Sequence, residues 1–254
     1  MTLKLDNVTK RFGGLVAVDS VSFEVADQGV TAIIGPNGAG KTTLFNLISG
    51  FFEPSAGRVM FDGRDITGIK PEQVASLGLV RTFQLVQLFP DLTAIENVKI
   101  GRHLRTRGGI VSAIVRPGWI QRQESDIHDE ARRLLAKVGL EEQADRQASI
   151  LPYGQQRLLE IARGLAAAPK LLLLDEPAAG LNPDETQKLS GLIRRIANEG
   201  TTVLLIEHDM KLVMNTADSV VVLDFGKKIA QGAPSEVRTN PAVLAAYLGE
   251  AAHG

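Results

Sequence analysis

Residues 35–42, which read Gly-Pro-Asn-Gly-Ala-Gly-Lys-Thr, constrain the fold of this chain more than any other segment. They follow an apolar run that ends at Ile34 and lead into a helical pattern that begins near Lys41, which is the context that a phosphate-binding loop requires. Glycines permit the tight turn that points successive backbone N–H groups at phosphate oxygens, and a helix N-terminus favours an anion at the same place. The segment therefore predicts a P-loop that binds ATP.

Two side chains of this loop are expected to act on the phosphates. Lys41 would bring a positive charge to the β- and γ-phosphates. The Thr42 hydroxyl would coordinate Mg²⁺, a cation that keeps most of its water and takes few protein ligands. The alternative is a glycine-rich turn without function, and the flanking strand and helix argue against it.

Short apolar runs predict the strands of a buried parallel sheet, because strands covered on both faces carry few polar residues. These runs lie at 30–34, 171–174, 202–206 and 219–223, and helical patterns lie between them at 41–48, 155–167 and 184–198. The alternation of strand and helix predicts an α/β fold. Polar and apolar residues alternate over 3–25 and 58–61, which predicts a smaller and partly solvated β-sheet.

The middle of the chain has a different pattern. Between about 93 and 147 no run is typical of a buried strand. In contrast, a helix is predicted over 125–138, in which Leu134, Leu135 and Val138, with Ile127 and Ala131, have the 3–4 spacing of one apolar face. We therefore expect a mainly helical subdomain inserted into the α/β core. Between 102 and 122 the pattern breaks into basic and glycine-containing stretches, and no function is predicted for residues 110–119.

Composition narrows the possible functions. The chain has 28 Lys and Arg against 29 Asp and Glu, so it lacks the positive charge typical of nucleic-acid binding. It has no cysteine, which excludes disulfides and cysteine-ligated zinc and is consistent with the cytosol. No stretch approaches the ~18 apolar residues of a membrane span. Work at a membrane would require docking onto another protein.

Polar side chains follow further strands at their carboxyl ends, where α/β sheets bind ligands. Asp175 is suited to hold Mg²⁺ through water, and Glu176 to accept the proton of an attacking water. His208 could donate a hydrogen bond to the γ-phosphate, and the amide oxygen of Gln84 could reach Mg²⁺ or the water. Without the P-loop, a pair of carboxylates like Asp175 and Glu176 is more often a helix cap or a surface charge. A single histidine like His208 is more often structural or solvated. The P-loop favours the catalytic interpretation of all four.

These segments, in this order, resemble the ATP-binding cassette (ABC) ATPases. The decisive segment is 151–157, Leu-Pro-Tyr-Gly-Gln-Gln-Arg, which is similar to the signature of that family. Generic P-loop kinases and GTPases lack this segment. The resemblance covers 3–249 as a single ABC ATPase domain. It implies a RecA-like P-loop NTPase core (1–84 and 165–254), a small antiparallel β-subdomain within it, and a helical subdomain over about 85–164.

The resemblance also implies a function for each matching position. The expected ATP-binding residues are Phe12, which would stack on adenine, and Asn37, Gly38, Ala39, Gly40, Lys41, Thr42 and Thr43. The expected catalytic residues are Lys41, Gln84 of the Q-loop, Glu176 and the switch histidine His208. The expected Mg²⁺ ligands are Thr42, Gln84 and Asp175. The D-loop would be Gly180, Leu181 and Asn182.

Two such cassettes pack head to tail in this family, so that each ATP lies between the P-loop of one and the signature of the other. A single copy of each motif implies a homodimer, or a heterodimer with a paralogue, in which Tyr153, Gly154 and Gln155 contact the partner's γ-phosphate. Two positions depart from the common pattern. Pro152 replaces a serine and brings neither hydroxyl nor N–H. Asn182 replaces the D-loop aspartate, so we expect altered coupling across the dimer and intact catalysis.

Within the family, the sequence most resembles the ATPases of branched-chain amino-acid importers. The similar segments are 9–15, 153–156, 175–183, 246–249 and the enlarged segment before the signature. Related importers of urea and short amides share much of this sequence, so the alternative solute is urea, a short amide or another small polar molecule. An alternative class of protein is a soluble ABC protein of translation or DNA repair, although such proteins usually carry two cassettes or a long coiled-coil insertion.

An importer ATPase would use ATP and Mg²⁺ and lie peripherally at the cytoplasmic face of the inner (plasma) membrane. Its expected partners are a second ATPase subunit, the membrane permease subunits and, indirectly, a solute-binding protein, with no nucleic acid. A coupling helix of the permease would contact the groove beside the Q-loop, where Leu85, Val86, Leu88 and Phe89 are apolar. Equally, these four residues could pack the helical subdomain against the core.

Overall fold

The computed structural model describes residues 2–82, 87–102 and 118–251, of which 118–123 and 248–251 are described by their backbone alone. The chain divides into two units, one formed by Met1–Gln84 and Lys170–Gly254 and the other by Leu85–Pro169. The sequence places the second boundary after residue 164. That position lies inside the helix Tyr153–Ala166, and the division of the chain follows the end of this helix.

The described part of the first unit contains an antiparallel sheet and a mostly parallel sheet. Its strands are β1 (Leu3–Phe12), β2 (Leu15–Val25), β3 (Val30–Ile34), β4 (Ala56–Phe61), β5 (Arg64–Asp65), β6 (Leu79–Arg81), β7 (Leu171–Asp175), β8 (Thr202–Ile206), β9 (Ser219–Asp224) and β10 (Lys227–Gly232). The antiparallel sheet has the order β2-β1-β4-β5, and the other has the order β10-β9-β3-β8-β7-β6. In the second sheet β10 runs antiparallel to β9, and the remaining pairs are parallel.

The parallel strands are apolar because both faces of their sheet are covered. Every residue of β3, β7 and β8 is buried, as the apolar runs predict. The predicted α/β class, with a small antiparallel β-subdomain beside a P-loop core, is therefore confirmed. The strand β10 was not predicted, because its residues are polar or half-buried and carry no apolar run.

The helices in the described part of the chain begin and end close to turn residues and prolines. They are α1 (Lys41–Ile48), α2 (Pro71–Ser76), α3 (Ala94–Arg102), α4 (Gly118–Lys137), α5 (Tyr153–Ala166), α6 (Pro183–Asn198), α7 (Met210–Thr216), α8 (Pro234–Thr239) and α9 (Pro241–Ala251). In the first unit, Leu44 and Phe45 of α1 share one buried apolar cluster with Phe61 of the antiparallel sheet and Ile33 of the parallel sheet. The helix that follows the P-loop is thereby fixed to both sheets.

The described part of the second unit is built from α3, α4 and α5, with 3₁₀ turns at Glu141–Gln143 and Ala148–Ile150. The helix α3 packs against both α4 and α5. The buried Asn97 of α3 accepts a hydrogen bond from the Phe89 N–H at 2.9 Å and donates to the Phe89 carbonyl at 3.1 Å, which fixes the segment before α3. The helix α4 begins at Gly118 rather than at 125, while residues 103–117, including most of 110–119, lie outside the described residues.

Among the residues that the structure describes, none of the helices combines the length and the apolar character that crossing a bilayer would need.

Candidate functional site

The segment between β3 and α1 forms a loop at the N-terminus of α1, where Gly40 is the capping residue and supplies no side-chain cap. The buried Lys41 folds back over this loop. Its Nζ donates hydrogen bonds to the carbonyl oxygens of Gly35 at 2.7 Å and Pro36 at 2.8 Å. An ammonium group is therefore held where the loop and the helix N-terminus both favour an anion.

Two glycines of the loop have backbone conformations and neighbours that exclude a side chain. Gly35 has φ +152°, and a Cβ there would lie 2.1 Å from the carbonyl oxygen of Leu223. Gly40 has φ +96°, and a Cβ there would lie 2.4 Å from the carbonyl oxygen of Ala17. The loop keeps its shape because it packs against β2 and the end of β9, so its backbone N–H groups are arranged before any ligand binds.

A cleft of about 410 Å³ opens beside the loop. Residues 37–43 and Glu176 line it, and its other side is formed by 15–17, Phe225 and Gly226. The structure thus brings together the predicted P-loop residues and the predicted catalytic glutamate. The space is large enough for a phosphate chain and its attached sugar.

The two exposed phenylalanines near this region differ in their relation to the cleft. Phe12 is 42% exposed and meets Phe52 edge to face at 5.4 Å between ring centroids, but it is not among the cleft-lining residues. Phe225 lines the cleft and is 85% exposed. It lies in the turn between β9 and β10, which is fixed to the P-loop by the Gly226 N–H donating to the Ala39 carbonyl at 3.0 Å.

Asp175 ends β7 and is buried in an ion pair that the sequence did not predict. Arg81 of β6 donates from Nη2 to Asp175 Oδ2 at 2.6 Å, and from Nη1 to Asn46 Oδ1 at 2.6 Å and to Ser49 Oγ at 3.0 Å. One guanidinium therefore links two strands to the helix that follows the P-loop. The available signal was a charged residue next to the buried pair Leu79 and Val80, where an apolar residue is expected.

Glu176 follows β7 at the mouth of the cleft. Its backbone has φ +46°, a left-handed conformation that costs about 1–3 kcal/mol for a residue other than glycine. Its N–H donates to the Ile206 carbonyl at 3.0 Å. Its Oε2 lies 3.9 Å from Nδ1 of His208, whose side chain is 64% exposed. The predicted catalytic carboxylate and histidine are therefore neighbours, and the histidine ring is accessible to a ligand.

Glu207 lies between β8 and His208, and it is completely buried, with 0% of its surface exposed. Its Oε1 accepts the Ala178 N–H at 2.8 Å, and its Oε2 accepts the N–H groups of His208 at 3.0 Å and Asp209 at 3.2 Å. Burial raises the pKa of this carboxyl, although the three backbone hydrogen bonds act in the opposite direction. The sequence pattern predicts no function for Glu207. Its position directly after a fully buried strand was the available signal.

The predicted D-loop follows Glu176 and leads into α6. Asn182 caps this helix, since its Oδ1 accepts the Glu185 N–H at 3.0 Å and its own N–H donates to Glu185 Oε2 at 2.9 Å. Asparagine caps a helix as well as aspartate does. Gly180 is exposed and Leu181 is half-buried before the cap.

The predicted signature segment lies in the second unit at the start of α5. Pro152 is the N-terminal capping residue and provides no side-chain cap. The backbone N–H groups of Tyr153, Gly154 and Gln155 occupy the first turn, whose N–H groups have no carbonyl partner within the helix. Tyr153 is exposed and Gly154 is buried. The N-terminus of α5 can therefore bind an anion that is not part of this chain.

The Q-loop lies largely outside the described residues. Gln84, expected to act in catalysis and in Mg²⁺ binding, lies outside the described residues. So do Leu85 and Val86, expected either to contact a coupling helix or to pack the helical subdomain against the core. Of the four apolar residues expected near the coupling helix, Leu88 is half-buried and Phe89 is exposed.

The oxygen donors expected for Mg²⁺ fit that cation chemically. Thr42 is exposed in the cleft, so its hydroxyl is accessible to Mg²⁺. Asp175 is buried at the end of β7, where its Oδ2 accepts from Arg81, so its carboxylate would act on Mg²⁺ through water. Mg²⁺ in phosphate sites takes one or two protein oxygens, phosphate oxygens and water. In the described residues, no group of three or more His, Cys, Asp or Glu side chains is arranged to hold a metal ion by itself.

Comparisons with known proteins agree with this geometry. Residues 18–179 match the family model described as ABC transporter, and residues 227–253 match the model described as branched-chain amino acid ATP-binding cassette transporter. The chain is 47% identical over 250 residues to the high-affinity branched-chain amino acid transport ATP-binding protein LivG of Salmonella typhimurium, covering 98% of both chains.

Solved structures extend the likeness to three dimensions. An ABC-transporter ATP-binding cassette in its ADP conformation matches with a TM-score of 0.85 and 36% identity, over 98% of both chains. A dimeric post-hydrolysis cassette bound to ADP and Pi matches with a TM-score of 0.77 and 26% identity, over 91% of this chain and 98% of that one. The chain thus shares its fold, over nearly its whole length, with cassettes that bind nucleotide.

Proposed function

The chain belongs to the ABC transporter family, and from that premise we propose that it is the ATP-hydrolysing subunit of an importer for branched-chain amino acids. The observation that carries this proposal is the cleft in which the P-loop, Glu176 and the N-terminus of α1 meet. ATP hydrolysis is the activity of the family. The solute is inferred from the name of the LivG relative and from the second family match near the C-terminus.

ATP binding is assigned to residues 37–43. Backbone N–H groups of the loop and the N-terminus of α1 receive the phosphate oxygens. Lys41 exchanges its two carbonyl partners for the β- and γ-phosphates, with its ammonium group already in place. Mg²⁺, held by Thr42, Asp175 and Gln84 together with phosphate oxygens, would neutralise charge on the β- and γ-phosphates.

Hydrolysis is assigned to Glu176 and His208. Glu176 orients a water molecule and accepts its proton as the oxygen attacks the γ-phosphorus, a step in which a carboxylate acts as general base. His208, 3.9 Å away and exposed, donates a hydrogen bond to the γ-phosphate and so responds to its presence. Gln84 is assigned to the same water or to Mg²⁺. The products are ADP and phosphate.

A second cassette completes the site. The first turn of α5, with Tyr153, Gly154 and Gln155, would face the γ-phosphate bound to the partner's P-loop. Pro152 contributes no hydroxyl, so the backbone N–H groups carry this contact. Asn182 and its neighbours in the D-loop would lie at the same interface. The partner is a copy of this chain or a paralogue, and closure of the pair around ATP would drive the permease subunits.

Docking to a permease would place the chain peripherally on the cytoplasmic face of the inner membrane. The exposed Phe89, fixed by Asn97, is assigned to the surface that receives the coupling helix. A solute-binding protein would act on the same complex from the opposite side of the membrane, without contacting this chain. Importers of urea or short amides remain the alternative for the solute.

The importer assignment predicts that the full chain co-purifies from solubilised membranes with a polytopic membrane protein. When the complex of this chain and the membrane protein is reconstituted in liposomes together with its solute-binding protein, its ATP turnover should rise on addition of leucine, isoleucine or valine. Stimulation by urea or acetamide, and not by these amino acids, would show that the importer transports urea or short amides instead. Stable association with ribosomes or DNA instead of a membrane protein would contradict import.

Stacking of adenine on Phe12 predicts a loss of ATP affinity in Phe12→Ala of about 5- to 150-fold, since stacking of a base on an aromatic ring is worth about 1–3 kcal/mol. Tripolyphosphate, which lacks the base, should bind equally well to both proteins in calorimetric titrations. Phe225→Ala is the matched comparison, because Phe225 is the aromatic that lines the cleft. A larger loss of ATP affinity in Phe225→Ala than in Phe12→Ala would contradict the assignment of adenine to Phe12.

A further inference from the structure

The two loops that carry Glu176 and His208 leave the sheet side by side. They follow β7 and β8, which are parallel neighbours with Asp175 opposite Ile206. The Glu176 N–H donates to the Ile206 carbonyl at 3.0 Å. Beyond this pair the strands have ended, so the sheet itself no longer fixes the distance between the two loops.

The side chain of Glu207 joins the two loops at this point. One carboxylate oxygen accepts the N–H of Ala178, two residues after Glu176, at 2.8 Å. The other accepts the N–H groups of His208 at 3.0 Å and Asp209 at 3.2 Å. A buried carboxylate is costly unless its oxygens are hydrogen-bonded, and here both oxygens have backbone donors. One side chain thus crosses from its own loop to the neighbouring one.

We propose that Glu207 is a positioning residue, which clamps the loop of Glu176 to the loop of His208 and so sets the separation of these two groups for ATP hydrolysis. The proposal rests on the catalytic functions proposed above for both residues. Glu207 itself is buried and does not contact the cleft. Its effect on turnover is therefore transmitted through the backbone of Ala178 and His208.

The function of the clamp requires two acceptor oxygens. Glutamine has nearly the same shape but only one carbonyl oxygen, and its NH₂ group is a donor. In Glu207→Gln, the amide can satisfy either the N–H of Ala178 or the N–H groups of His208 and Asp209. The other side then meets a donor, so the link between the loops is lost while the packing volume is kept.

The expected result for Glu207→Gln is a fall in kcat of about 10- to 100-fold with KM for ATP unchanged within about twofold, since a displacement of ~1 Å at a reacting group can reduce the rate about 100-fold. KM should hold because the clamp touches no P-loop residue. The measurement is steady-state ATP hydrolysis by the full chain with Mg²⁺. Glu72→Gln, an exposed site in α2, is the control for the lost charge and should leave kcat unchanged.

An unchanged kcat in Glu207→Gln, with or without a lower Tm, would reduce Glu207 to a structural residue and overturn the proposal. A rise in KM parallel to the fall in kcat would also overturn it, because the whole nucleotide site would then be disturbed. Glu176→Gln measured alongside separates the two ideas. Near-normal turnover in that variant would refute the catalytic assignment itself, whereas its inactivity together with a fully active Glu207→Gln would refute the clamp alone.

The clamp also has a test that needs no variant. In the unmodified protein, the amide hydrogens of Ala178, His208 and Asp209 should exchange with solvent much more slowly than those of exposed loop residues, as measured by NMR. These amides lie in loops, where slow exchange requires a buried acceptor. Fast exchange at Ala178 would overturn the proposal, even if Glu207→Gln failed to fold.

Discussion

Replacing Lys41 by alanine is expected to abolish ATP binding by this chain. Hydrogen bonds to charged groups contribute about 1.5–3 kcal/mol each, so loss of contacts with two phosphates should lower the affinity at least about 100-fold. The ammonium group is held beside the cleft by the Gly35 and Pro36 carbonyls before ATP arrives, and no other P-loop side chain supplies a cation. Calorimetric titration with ATP measures the effect.

Lys188→Ala is the matched control for Lys41→Ala, because it removes a lysine from the exposed face of α6. This control should bind ATP with unchanged affinity. A thermal unfolding scan of both variants distinguishes a lost ligand contact from a lost fold. Undiminished nucleotide affinity in a folded Lys41→Ala protein would contradict the assignment of the P-loop.

The substitution Glu176→Gln is expected to leave ATP binding intact and to lower hydrolysis about 10²- to 10⁴-fold, the contribution typical of a general base. The amide retains the shape of the carboxylate but cannot accept the proton of the attacking water. Because ATP then persists, the closed pair of cassettes should accumulate. Size-exclusion chromatography with light scattering should show a dimer in ATP and Mg²⁺ and a monomer without nucleotide.

Three measurements on Glu176→Gln decide the result. Single-turnover hydrolysis tests the base, titration with ATP tests the binding site, and light scattering tests the closed pair. His208→Ala is the informative comparison, since it removes the neighbouring group and leaves the base in place. Turnover of Glu176→Gln close to that of the unchanged protein would exclude Glu176 as the base.

Much of the fold was predictable because the buried parallel strands have a strong local pattern. The runs at 171–174 and 219–223 were each placed within one residue of β7 and β9. Elements whose stability comes from their surroundings were harder to predict. The strand β10 pairs with β9 although its own residues form no apolar run. The helix α4 extends from Gly118, before the apolar periodicity begins.

The candidate site was predictable where function dictates a motif within a few residues. The loop at 35–42, the pair Asp175 and Glu176, and His208 are local signals of this kind. The pair formed by Arg81 and Asp175 joins residues 94 positions apart, and no local pattern identifies such a contact. Likewise, the bond from Glu207 to Ala178 exists only because β7 and β8 are neighbours.

The left-handed backbone of Glu176 places two demands in conflict at one position. Glycine would relieve this conformation at no steric cost, whereas the proposed chemistry needs a carboxylate there. Selection for robustness and selection for turnover therefore act in opposite directions on this turn. A redesign guided by stability alone would choose glycine at position 176. The resulting protein would be more stable towards unfolding but unable to drive transport.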